Sequence, residues 1–141
     1  MESIMKLFMD ACSIIYLIES HQQQGQNTRL LITQALQSKT QLIVSRLSFW
    51  ECRVLPLKEK NNDLLESYKR FFQLPSVRVI ELTADVINMA TDLRAHYSQS
   101  LRTPDALQIA CALSSNADQF LTGDKKLSVI QEIDVIVVWE S

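Results

Sequence analysis

Four acidic residues stand where an apolar, strand-like run gives way to a helix or turn: Asp10, Glu51, Asp105 and Asp124. Carboxylates brought together repel one another and hold their protons unless a cation compensates them, so a cluster of this kind points to a hard, oxygen-seeking ion such as Mg²⁺ or Mn²⁺. Such a site polarises a phosphoryl oxygen and activates water. Asp10 ends Met5-Lys6-Leu7-Phe8-Met9, Glu51 closes Ser48-Phe49-Trp50-Glu51, Asp105 sits in Thr103-Pro104-Asp105-Ala106-Leu107, and Asp124 closes Phe120-Leu121-Thr122-Gly123-Asp124.

Each acid also has a structural use when taken alone. Asp10 suits a helix N-cap. Ser48-Phe49-Trp50-Glu51 fits an S-x-x-E capping box, and Thr103-Pro104-Asp105 reads as a helix start with Thr as cap and Pro at the first position. Asp124 follows Gly123 in a turn. What sets the four apart is a shared address: ligands of open α/β sheets bind beyond the carboxyl ends of the strands, where the strand order changes direction. Asp118, which precedes its strand, belongs to the opposite edge and is given no catalytic part. His21 and His96 form no ligand pair and are read as non-catalytic.

The elements that must carry these acids alternate strand-like and helix-like, the pattern of a parallel sheet covered on both faces. The candidate strands are Met5 to Met9, Leu42 to Ser45, Val77 to Leu82, Gln119 to Thr122 and Val135 to Trp139. Between them run helical repeats such as Leu64, Leu65, Tyr68, Phe71 and Phe72, then Val86, Ala90, Leu93 and Tyr97. The polar stretch Gln22 to Asn27 reads as a loop, and Pro75 separates a helix from the third strand. Leu47 to Phe72 reads as two helices broken near Pro56, an interaction surface. Pro104 to Ser114 is apolar on nearly all sides and is expected to be buried.

The 141 residues, 47% of them apolar, fit a single domain spanning 1–141. A formal net charge of −2 gives no global pull toward nucleic acid, so any polyanion site must be local. Cys12, Cys52 and Cys111 show no CxxC spacing and read as reduced core thiols of a cytoplasmic protein; no signal peptide or membrane span is read. With only Gly25 and Gly123, the chain has no glycine-rich loop to cradle a nucleotide phosphate.

These pieces resemble the PIN-domain nucleases, and within them the small VapC-type toxins of toxin–antitoxin pairs. The resemblance runs through Leu7 to Cys12, Ser45 to Glu51, Thr103 to Ala110 and Phe120 to Asp124, the last two being the more specific. It implies a Rossmann-like three-layer α/β/α sandwich with a mainly parallel sheet of four or five strands, an acidic pocket for Mg²⁺ or Mn²⁺, and endoribonuclease action leaving a 5′-phosphate and a 3′-hydroxyl. Carried over by residue, Asp10 and Asp105 resemble direct metal ligands, Glu51 a ligand or water-positioning base, Asp124 a water-mediated or second-metal ligand, and Thr122 the hydroxyl that supports the last acid. Many relatives have Thr or Ser directly after the first Asp; here Ala11 and Cys12 follow, then Ser13, so a supporting hydrogen bond is missing or replaced.

RNA requires cations beside the pocket, and Arg46, Arg53, Arg102, Lys125 and Lys126 are near in sequence. The resemblance further implies an antitoxin that blocks the pocket and a homodimer, with the helices from Leu47 to Phe72 as the contact surface. Two other readings stand beside it. One is a phosphatase or phosphoacceptor using Asp10 as nucleophile, disfavoured by Cys12 where a second Asp is wanted; the other is a PIN-like RNA- or protein-binding module whose acids serve as caps.

Overall fold

The computed structural model describes residues 4–138, whose elements run β1 Lys6–Met9, α1 Ala11–Glu19, α2 Gln23–Gln37, β2 Gln41–Ser45, α3 Arg46–Lys58, α4 Asn62–Phe72, β3 Val77–Ile80, α5 Ala84–His96, α6 Thr103–Ser114, β4 Gln119–Thr122, a 3₁₀ helix Lys125–Val129 and β5 Asp134–Val137. Every strand pairing is parallel, in the order β3-β2-β1-β4-β5. The chain thus builds outward from β1 to β3, then returns to place β4 and β5 on the far side of β1. The order reverses between β1 and β4, which opens a crevice at their carboxyl ends.

The strands are apolar in consecutive positions because both faces are covered. Leu7, Met9, Leu42, Val44 and Leu121 turn toward the layer built by α1 to α4, where Ile14, Ile32, Tyr68 and Phe72 complete the core. Phe8, Ile43 and Phe120 turn the other way, against Val86, Ala90 and Leu93 of α5 and Ala106, Ile109 and Ala110 of α6. In register, Phe8 lies opposite Phe120, and their rings stack with centroids 5.3 Å apart. The parallel sheet covered on both faces, read from the alternation, is the observed architecture, and it forms the three-layer α/β/α sandwich that the resemblance implies.

Three local expectations need correction. Gln22 to Asn27 is not a loop: α2 begins at Gln23, and Gly25 is buried inside it. A Cβ on Gly25 would fall 2.1 Å from the Ser20 carbonyl oxygen, so this glycine serves the close return of α2 against the end of α1 rather than a turn. Pro56 does not break α3 but sits in its last turn. The break comes at Lys60, whose positive φ of 55° lets the Asn61 N–H reach back to the Pro56 carbonyl at 2.9 Å. Thr103 is not the cap of α6, because it already lies within the helix and Arg102 takes the cap position.

The strands are also trimmed. β1 starts at Lys6 rather than Met5, and β3 ends at Ile80 rather than Leu82, because Thr83 turns away to cap α5 through the Val86 N–H at 3.2 Å. β2 and β5 each start one residue earlier than read, at Gln41 and Asp134, and β5 ends at Val137; Trp139 lies outside the described residues.

Candidate active site

Asp10 directly follows β1 and is 7% exposed. Its backbone N–H still pairs with the Leu121 carbonyl of β4 at 3.2 Å, so the residue sits on the rim at the reversal of strand order. Its side chain has two jobs at once. Oδ1 accepts the Ser13 N–H at 2.9 Å and caps α1, while Oδ2 accepts the Thr122 hydroxyl at 2.5 Å. The cap and ligand readings are therefore compatible, since a carboxylate offers about four lone-pair positions. Burial pushes the Asp10 carboxyl up to about 6 against the downward pull of the Thr122 and Ser13 hydrogen bonds, with Asp105 adding repulsion.

Thr122, fully buried at the end of β4, links the first acid to the last. Its hydroxyl donates to Asp10 and accepts the Asp124 backbone N–H at 3.1 Å. Asp124 then caps the 3₁₀ helix, its Oδ1 accepting the Lys126 N–H at 2.9 Å. Gly123 between them passes so close to α1 that a Cβ would meet Tyr16 Cε2 at 2.5 Å and Cys12 Sγ at 2.8 Å. The hydrogen bonding expected after the first Asp is replaced: Ser13 and Thr122 hold Asp10, and Cys12 instead packs under Gly123. Its sulfur takes hydrogen bonds from Tyr16 and the Gly123 backbone; burial and the Asp10 charge push the thiol up. Cys52 and Cys111 are free and buried, as read, but Cys12 is a half-buried rim residue.

Glu51 is not part of a capping box. The cap of α3 is Ser45, whose Oγ accepts the Ser48 N–H at 3.2 Å, so the helix starts three residues earlier than the S-x-x-E motif implies. Glu51 lies well inside α3, and its partner is Gln108 of α6, whose Nε2 donates to Oε1 at 3.0 Å. The box-like acid is Asp105, third in α6, which accepts the backbone N–H of Arg102 at the cap position. Gln108 is not among the site candidates read from the sequence, although it carries a signal there: it is the one amide side chain of α6 and falls one turn after Asp105, on the same face.

Asp105 is the electrostatic hub of the four. Burial raises the carboxyls of Asp10, Glu51 and Asp105; beyond burial, Asp105 repels both Asp10 and Glu51, and Asp124 repels Asp105. Four acids thus share one field at one rim. Among the described residues no three of the His, Cys, Asp and Glu side chains close to metal-holding distance. The chemistry of the donors nevertheless fits a divalent cation: the donors are carboxylate oxygens, one of them deeply buried, and their mutual repulsion is what a hard ion would relieve.

The five expected cations divide. Arg102 and Lys126 line a polar cleft of about 660 Å³ together with Asp105, Asp124, Arg94 and Ser98. Arg46 instead ion-pairs with Glu81 at 2.7 Å, and Arg53 lies over the Phe49 ring, 3.6 Å from its centroid, donating to the Phe49 carbonyl. Lys125 is exposed in the 3₁₀ helix and does not line the cleft. Asp118 pairs with the Lys6 N–H at 2.8 Å, at the amino edge of the sheet, as its position required. His21 is exposed, and His96 packs edge-on against Tyr97.

Together these features define an α/β/α protein with an acidic rim at its strand-order reversal. A profile of the PIN domain matches residues 7–133, and the chain belongs to the PIN-domain nuclease family. No match appears among curated proteins. Among solved structures, the fold is similar to VapBC2 of Rickettsia felis bound to a promoter DNA fragment, with a TM-score of 0.75 and 18% identity over 94% of this chain and 98% of that one. It is also similar to VapC20 of Mycobacterium tuberculosis, a toxin that cleaves the sarcin–ricin loop, at 0.72 and 18% over 87% and 93%, and to FitAcB of Neisseria gonorrhoeae, at 0.74 and 12% over 96% and 99%.

Proposed function

We propose that this chain is a Mg²⁺- or Mn²⁺-dependent endoribonuclease and the toxin of a toxin–antitoxin pair. The observation that carries the reading is the placement of Asp10 at the reversal of strand order, joined through the Thr122 hydroxyl to Asp124, in a chain that matches the PIN domain. In it, Asp10, Asp105, Glu51 and Asp124 hold the ion, which when bound lowers the pKa of water and neutralises charge developing on the phosphoryl oxygens. Thr122 fixes the Asp10 carboxylate, and Glu51 orients the attacking water and takes up its proton. Arg102 and Lys126 receive the phosphates of a strand lying in the cleft.

The antitoxin and a homodimer partner are assigned to the α3–α4 pair, where an apolar groove of about 600 Å³ exposes Trp50 and Leu57 to 63% and 66%. A partner of toxin–antitoxin type is supported by the likeness to VapBC2 of Rickettsia felis. The function is tested by incubating RNA with the protein and Mg²⁺ or Mn²⁺, with and without chelator, alongside Asp10→Ala and Asp105→Ala. Metal-independent cleavage, or variants as active as the parent, rejects it.

The cap hydrogen bonds of Asp10, Asp105 and Asp124 favour one other reading, a binding module that keeps its acids for helix starts. Calorimetry separates the two. If neither Mg²⁺ nor Mn²⁺ binds and Asp→Asn changes alter only the melting temperature, the module reading prevails.

A further inference from the structure

Gln108 is buried to 3% exposure in a helix whose other buried residues are Ala106, Ile109, Ala110, Cys111 and Ala112, a place where an amide is unfavourable unless every polar atom is paired. Every one is. Oε1 accepts the Ser45 hydroxyl at 2.7 Å, and the two Nε2 protons go to Ser48 Oγ at 2.8 Å and Glu51 Oε1 at 3.0 Å. The amide orientation is set by this pattern, because the flipped group would turn its oxygen toward a carboxylate. The Ser45 hydroxyl in turn accepts the Ser48 N–H that caps α3. One side chain of α6 thereby registers the end of β2, the start of α3 and one oxygen of Glu51, across the sheet from one helical layer to the other.

We propose that Gln108 is a positioning residue for Glu51, its amide fixing one oxygen of that carboxylate through the 3.0 Å hydrogen bond. The inference rests on the nuclease reading above. Gln108 itself lies one helical turn from Asp105, so the same helix delivers an acid and the group that orients its counterpart. The Ser45 hydroxyl already caps α3 by accepting the Ser48 N–H, so the cap alone does not call for Gln108, whereas the third hydrogen bond of the amide goes to one of the four acids.

The test uses Gln108→Met, which keeps the volume and loses all three hydrogen bonds, and Gln108→Glu, which keeps the acceptor for Ser45 and loses the donors toward Ser48 and Glu51. Each is combined with Glu51→Gln. Two quantities are measured on folded protein: Mn²⁺ affinity by calorimetry and single-turnover RNA cleavage. Supporting partners of metal ligands are worth about 10- to 100-fold, so either Gln108 variant should weaken Mn²⁺ binding and the cleavage rate by that order, with the RNA KM little changed. In the Glu51→Gln background neither variant should cause a further loss. Equal losses in both backgrounds would make the role structural and overturn the proposal, as would Mn²⁺ affinity and cleavage at parental levels. If the parent binds Mn²⁺ but cleaves no RNA, the nuclease reading fails while the affinity cycle still decides the positioning role; if it binds no Mn²⁺ at all, both fail.

Discussion

The Thr122 hydroxyl donates to Asp10 Oδ2 at 2.5 Å and accepts the Asp124 N–H at 3.1 Å, so a single buried oxygen ties the first of the four rim acids to the last. Removing it without changing shape isolates that link. Thr122→Val should lower RNA cleavage by about 10- to 100-fold. Because the Thr122 hydrogen bond pulls the Asp10 carboxyl down, its loss raises that carboxyl further, and the acid limb of the pH–rate profile should move to higher pH. An unmoved limb would place the effect elsewhere.

Stability of the metal-free protein should fall as pH rises. The folded Asp10 carboxyl titrates at about 6 against an ordinary 3.8, so the folded state binds the extra proton between those values. Its contribution is present in full below about 3.8 and is lost as pH rises through about 6, amounting to about 3 kcal/mol at about 1.4 kcal/mol per pH unit. Glu51 and Asp105 shift in the same direction. Thermal melts in chelator should therefore give a higher Tm at pH 5 than at pH 7.5, and added Mn²⁺ should raise Tm more at pH 7.5. A flat profile would show that Asp10 is compensated already.

Cations in the cleft and cations elsewhere should separate cleanly. Arg102→Ala and Lys126→Ala should raise the RNA KM and make the salt dependence shallower by about 0.7 in log–log slope per lost single-strand phosphate contact. Arg46→Ala should leave both unchanged and lose under about 1 kcal/mol of stability, since its exposed pair with Glu81 is screened by water. Filter binding across a salt series reads the slopes of all three variants, steady-state cleavage reads KM, and urea unfolding reads the stability of Arg46→Ala.

Gly123→Ala should be destabilising even though its backbone needs no positive φ. The added methyl lands on Tyr16 and Cys12, and forced overpacking costs about 1–3 kcal/mol. Tyr16→Ala/Gly123→Ala should recover part of the folding stability lost by Gly123→Ala alone. A pair of independent losses in urea unfolding would refute the steric account.

The sheet was legible because its buried parallel strands carry apolar runs such as Leu7-Phe8-Met9 and Leu42-Ile43-Val44, and two of the acids come just beyond strand ends: Asp10 after Met9, Asp124 two residues after Thr122. Glu51 was harder. Ser45 and Ser48 both suit a cap, and only the assembled helix shows that Ser45 takes it, which moves Glu51 from the first turn to the interior of α3. Polar composition misled at Gln23 to Asn27, where Gly25 is dictated by contact with Ser20, not by local conformation. Gln108 and the Thr122–Asp10 bond depend on sheet register and layer packing, with partners 57 and 112 residues apart, distances that no local motif encodes.

Glu51 is carried by the α1–α4 layer and Asp105 by the α5–α6 layer, with Asp10 and Thr122 on the sheet between them. An ion held by these residues would fasten three separately packed bodies at one point, like a rivet through a laminate. Amide exchange should then slow in α3 and α6 together when Mn²⁺ is added, and the sandwich should resist sliding of its outer layers far from the rim itself.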